Sequence, residues 1–241
     1  MRTAILIALA STAFAQSFEV ASIKERTGRY GRVGVDTSGT RLTAEASPLQ
    51  LLIMWAYDVK HFQVAKSAAL DALGSTPWDI QAKAEGETPP TRAQFRTLLQ
   101  SLLADRFQLK LHREARDWPV YALTAAKSGP KLNDPAPDAG RFVNIDVKGR
   151  TYTMAFPAHT MDALADTLNG SAALDRPVVD RTGLTGKYAM KLTFVPARGE
   201  PEPGDLSVFE ALQEQLGLKL SPQSAPIEFL VVDHVAKPSG N

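Results

Sequence analysis

From Thr91 onward, Phe95, Leu98, Leu99, Leu102 and Leu103 recur at the three- and four-residue spacing of one helix face. Thr91 and Gln94 have the spacing of a capping box, in which each side chain bonds the other's backbone N–H. A second amphipathic helix is predicted after Thr160, with Met161, Leu164, Ala165 and Leu168 on one face and a stop at Asn169-Gly170. A third follows the Ser207/Glu210 box and ends at Gly217. A fourth is predicted from Ser47-Pro48-Leu49-Gln50, read as a capping box, to about Tyr57. Apolar positions almost surround that helix, so deep burial is expected.

Between the helices the period changes to two, which predicts strands. These are Phe18–Lys24, Arg41–Ala46, His61–Ala65, Trp78–Ala84, the stretches around Ile145 and Met154, Pro177–Asp180, and Tyr188–Phe194. Gln108–Glu114 with Val120–Ala126 reads as a hairpin. Leu218–Leu220 with Ile227–Val232 reads as another. In both the polar stretch between the apolar runs is taken as the turn. The result is an α+β fold, with helices packed on antiparallel sheet.

The order also repeats. Phe95–Lys127 and Phe209–Lys237 each read as helix, Leu-Lys-Leu, polar stretch, Pro and apolar strand. Each half reads strand, helix, strand, strand, helix, strand, strand, which predicts a tandem duplication. The expected boundaries are 1–15 for a processing segment, 16–127 for the first half, 128–140 for a linker dense in Pro, Gly, Asp and Asn, and 141–241 for the second half.

Composition narrows the function classes. The chain has 241 residues, 44% hydrophobic and 22% charged, with a formal net charge of +1. That balance indicates neither a nucleic-acid footprint nor an anionic-membrane patch. The absence of cysteine removes disulfides, thiolate nucleophiles and cysteine-ligated metals. At the N-terminus, Arg2, the apolar run Ala4–Ala10 and Ala13-Phe14-Ala15 have the form of a secretory signal cleaved near Ala15. The expected location is therefore periplasmic or secreted. No later run has membrane-spanning length.

Several stretches carry a resemblance: Phe18–Lys24, Leu102–Glu114, Pro119–Leu123, Gly129–Leu132, Arg176–Tyr188, Ala211–Leu220 and Val231–Asn241. In these the chain resembles an uncharacterised family of exported proteins from soil bacteria, a domain of unknown function. A similar domain follows membrane metallopeptidases of the β-lactam-sensor type. The resemblance thus implies periplasmic interaction or sensing, with no activity to carry over. The helix-and-hairpin unit also resembles the short N-terminal modules of secretins and TonB-dependent receptors.

Candidate chemistry is sparse. His61, His112, His159 and His234 stand in no metal-ligand spacing. Asp233 and His234 are adjacent on a predicted strand and so point to opposite faces. Ser128-Gly129-Pro130-Lys131 has the letters of S-x-x-K, but Gly and Pro disfavour the helix that would align its serine and lysine. No metal, no cofactor and no catalytic residue is expected. The chain reads as a non-catalytic binding or interaction module. The alternative is a periplasmic hydrolase using Ser128 and Lys131 or a histidine site. The most distinctive surface element is the turn Asp180–Gly186, where two glycines and several polar groups crowd together. A tight hairpin accounts for that composition. The functional reading is a carboxylate-receiving loop formed by Arg176, Asp180, Arg181, Thr182 and Lys187. It would take a protein, a peptide or a cell-wall stem. On that reading Arg181→Ala and Thr182→Ala should both leave stability almost unchanged.

Overall fold

The computed structural model describes residues 17–28, 32–140, 142–171, 173–196 and 204–238. The expected signal segment, Arg141 and most of the loop Pro196–Gly204 lie outside these residues.

The described residues form an α+β fold with five α-helices and three mostly antiparallel sheets. They divide into two units. Residues up to Glu114, with those from Glu228 onward, form the first, and Ala115–Ile227 form the second.

The first unit holds a four-stranded antiparallel sheet in the order β1-β4-β3-β2, from Phe18–Glu25 (β1), Gly34–Ser38 (β2), Arg41–Pro48 (β3) and Pro77–Ala84 (β4). Alternation in β4 buries Trp78, Ile80, Ala82 and Ala84. Helices α1 (Leu49–Tyr57) and α3 (Arg92–Arg106) pack on one another, and both bury apolar faces in the same core. A short helix, α2 (Ala68–Asp71), follows the cap Ser67.

The second unit holds the sheet β6-β7-β9, from Asn144–Lys148 (β6), Thr151–His159 (β7) and Tyr188–Phe194 (β9). Helices α4 (Met161–Gly170) and α5 (Val208–Leu216) close its core, which includes Met154, Phe156, Leu164, Leu192 and Leu212. The short strand β8 (Val178–Asp180) pairs in parallel with β5 (Lys110–Ala125), and β10 (Leu218–His234) lies on the other side of β5.

One succession recurs. A hairpin closed by a two-residue turn, a helix and a third antiparallel strand appear as β2-β3-α1-β4 and as β6-β7-α4-β9. Both third-strand pairings carry a register shift, between Ala44 and Ser47 and between Phe156 and His159.

Three expectations are corrected. Neither β5 nor β10 is a hairpin. Each is one strand, of 16 and 17 residues, and neither contains a positive-φ residue that could turn it back. Their polar stretches are exposed strand positions. His61–Ala65 is not a strand: His61–Gln63 is a turn of 3-10 helix, and only Val64 makes a parallel bridge, to Leu230. Ser47 does not cap α1. Pro48 holds that place, and the buried Ser47 hydroxyl donates to the carbonyls of Gly34 and Glu45. The ladder register sets Ser47 opposite Trp78, which keeps it in β3.

Candidate functional site

The Asp180–Gly186 segment is not a hairpin. It leaves β8, paired to β5, and enters β9, paired to β7, so it is a corner between two sheets of the second unit. Arg181 N–H donates to Leu123 O, which continues the parallel ladder one residue past β8. Asp180 Oδ1 then accepts from Thr182 N–H and from Thr182 Oγ1, both at 2.8 Å. Thr182 Oγ1 in turn accepts from Leu184 N–H at 3.1 Å. These successive side-chain-to-backbone turns fix the corner. Gly183, at φ +71°, takes the left-handed conformation that such a corner needs. At Gly186 a Cβ would meet Tyr188 OH at 2.9 Å, so the tyrosine ring lies directly over the glycine.

One end of the Asp180 carboxylate is thus engaged by the loop itself. Arg181 and Lys187 are exposed, and neither forms an ion pair among the described residues. Asp180, Arg181, Thr182 and Lys187 belong to this one corner.

Arg176 stands apart. Four residues lie between it and Arg181, so five steps of largely extended chain separate the two, about 16 Å at 3.3 Å per residue. Its guanidinium lies 5.6 Å from the Tyr121 ring centroid, and its Nε is 3.4 Å from Asp175 Oδ2. Tyr121 OH donates to Asp175 Oδ1 at 2.9 Å, and its ring meets Phe209 edge to face at 5.2 Å. The Tyr121 hydrogen bond holds the Asp175 carboxyl below its ordinary range, with Arg176 adding to the effect. Burial, and then the same bond, push the Tyr121 phenol up. Helix α4 guards the strand between the two groups. Asn169 brackets Val178, donating through Nδ2 to Val178 O and accepting from Val178 N–H.

Sequence reasoning missed one further pair, in the first unit. His112 Nδ1 lies 3.0 Å from both oxygens of Asp233, and both side chains are about half exposed. Asp233 therefore engages a histidine 121 positions away in sequence, on the neighbouring strand. No local spacing signals such a partner. The other histidines are scattered: His61 in the 3-10 turn, His159 edge-on to Phe156 and His234 at the end of β10. Among the described residues no group of three His, Asp or Glu side chains could hold a metal ion. Ser128 and Lys131 lie outside any helix, and Lys131 Nζ donates to Glu214 O at 2.8 Å. No described helix is long and apolar enough to cross a membrane.

No curated protein matches the chain, and no solved structure matches it. Residues 50–235 match the family described as Protein of unknown function (DUF3738), a span covering most of the sequence, so the chain belongs to that family.

Proposed function

We propose that this protein is an exported, non-catalytic interaction module that binds a carboxylate-bearing peptide or cell-wall stem. The corner Asp180–Lys187 is the receiving surface, and Arg176 is a second anchor beyond β8. One observation carries the reading: the loop engages its own acid, Asp180, internally, and exposed Arg181 and Lys187 form no ion pair among the described residues. A cationic corner with a glycine-freed backbone favours an anion. The separation of Arg176 from Arg181 favours an extended ligand of several residues over a compact one.

The test is titration of the full mature chain with short peptides ending in a free carboxylate, against their amidated counterparts, followed by amide chemical shifts. Shifts confined to Arg176 and the Asp180–Lys187 corner, seen with the acid and lost in Arg181→Ala, support the reading. Equal shifts with acid and amide, or shifts elsewhere, overturn it. Stability separates the variants. Arg181→Ala should change it by no more than about 0.5 kcal/mol. Thr182→Ala removes a donor and an acceptor from the corner and should cost about 1 kcal/mol, so it is not the neutral change expected from the sequence.

Export belongs to the same proposal and rests on the run Ala4–Ala10 and on Ala13-Phe14-Ala15. Mass spectrometry of the native protein should find an N-terminus near Gln16 or Ser17, and an intact Met1 contradicts it. Tandem duplication is likewise proposed, on the recurring hairpin, helix and strand. If residues 18–127 and 141–237 superpose with α3 and α5 in unrelated places, the duplication reading fails.

A further inference from the structure

Among the described residues, strand β6 lies at the edge of its sheet, hydrogen-bonded to β7 alone. All five of its residues are exposed. Three large apolar side chains stand in solvent within six positions: Phe142 at 82%, Ile145 at 54% and Val147 at 50%. The register sets Ile145 opposite Met154 and Val147 opposite Tyr152. Both therefore lie on the face that, one strand further in, packs into the core. Helices α4 and α5 pack on β7, β8 and β9, while this outer strip stays exposed.

The backbone of β6 is also available. Gly149 and Arg150 form a two-residue turn closed by Lys148 opposite Thr151, with Gly149 at φ +60°. The closing pair of such a hairpin is hydrogen-bonded, so the backbone groups of Asn144, Asp146 and Lys148 point to β7. Those of Ile145 and Val147 point outward. Edges are ordinarily guarded by polar side chains or covered. The hairpin strand of the first unit follows that rule: in β2, Val35 packs against the core and Thr37 stands where β6 has Val147.

We infer that β6 pairs with β6 of a second copy of this chain, antiparallel about a two-fold axis at Val147. Charge selects this occupant and this register. Antiparallel self-pairing can centre on either class of residue, but centred on Asp146 or Lys148 it sets like charges directly opposite one another, which leaves Ile145 and Val147 as centres within Ile145–Lys148. Centred on Val147, Asp146 stands opposite Lys148 of the second copy, and Lys148 opposite its Asp146, giving two ion pairs across the axis. Val147 then faces its own counterpart, with Ile145 beside it. Centred on Ile145, the two Asp146 carboxylates become diagonal neighbours and Lys148 faces no acid. Within one chain Lys148 Nζ and Asp146 Oδ2 are 3.2 Å apart, with both side chains mostly exposed. Such a surface pair is weakly held and free to exchange partners. A foreign strand would need the same alternation of acid and base; a second copy carries it already.

Sedimentation velocity of the full chain over a roughly hundredfold concentration range tests this. The wild type should pass from monomer to dimer. Asp146→Lys and Lys148→Asp each place like charges opposite one another. Each should weaken self-association at least tenfold while leaving circular dichroism and Tm unchanged, because both side chains are exposed. The decisive sample is an equimolar mixture of the two variants, which restores both ion pairs and should dimerise again as a heterodimer. A wild type that stays monomeric throughout overturns the inference. So do variants that dimerise like the wild type, or a mixture that remains monomeric.

Discussion

Ala46 occupies φ +42°, a left-handed conformation strained for a residue with a Cβ, and it is buried at the register shift of β3. Its N–H donates to Asp79 Oδ1 at 2.9 Å, and Arg26 holds the other oxygen of Asp79 at 2.7 Å. Burial raises the Asp79 pKa, but the Ala46 and Arg26 bonds outweigh it, and the net value lies below the ordinary range. A carboxylate with a lowered folded pKa contributes stability above its unfolded value, about 4, and loses it as pH falls through the folded value. Asp79→Asn should therefore lower Tm at pH 7, and the gap from wild type should narrow as pH falls below about 4; a gap that does not change with pH would refute this. Gly217 is a second sensitive position. It ends α5 at φ +61°, and a Cβ there would overlap the Gly129 carbonyl oxygen. Gly217→Ala should cost about 2 kcal/mol or more in urea unfolding, from strain plus overlap. The Gly217 stop was legible in the sequence. The Asp79 clamp was not, because its partner Ala46 lies 33 residues away and backbone strain leaves no mark in residue types.

Elements fixed by local chemistry were read correctly. Thr91/Gln94 and Ser207/Glu210 form reciprocal capping boxes, and Thr160 caps α4. Thr91→Ala should cost about 1 kcal/mol in thermal or urea unfolding, the usual worth of a cap. The misread elements are those whose identity depends on distant partners. Glu114–Pro119 is polar and holds a proline, so alone it reads as a turn. The continuity of β5 comes from its neighbours β10 and β8, which the sequence cannot display. Hydrogen exchange distinguishes the two readings. As one strand, β5 should show protected amides on both sides of Glu114–Trp118, without the run of fast-exchanging amides that a turn would leave. The candidate corner shows the same division. Its composition was visible, but its role as a link between two sheets was not, because pairing decides it.

At the scale of the molecule, the family match spans both units, and the α+β class follows from counting periods of 3.6 and 2. The path of the chain is less legible. Residues from Glu228 onward belong to the first unit. There Leu230 and Val232 enter the core, Ala65 N–H donates to Leu230 O, and Ala236 N–H donates to Phe107 O. Truncation after Ile227 should therefore remove the cooperative unfolding of the first unit, seen as lost Trp78 burial by fluorescence. If a truncated chain keeps that transition, the closing strand is dispensable.

That closing strand sets the order in which a ribosome can complete the protein. Ala115–Ile227 is contiguous and is fully synthesised before Leu230 and Val232 are added. The first unit waits for roughly 120 further residues, on the order of ten seconds of translation, with its core lacking Leu230 and Val232. Chains that end at Ile227 and have left the ribosome should accordingly protect the later-made unit from protease and leave the earlier-made one open.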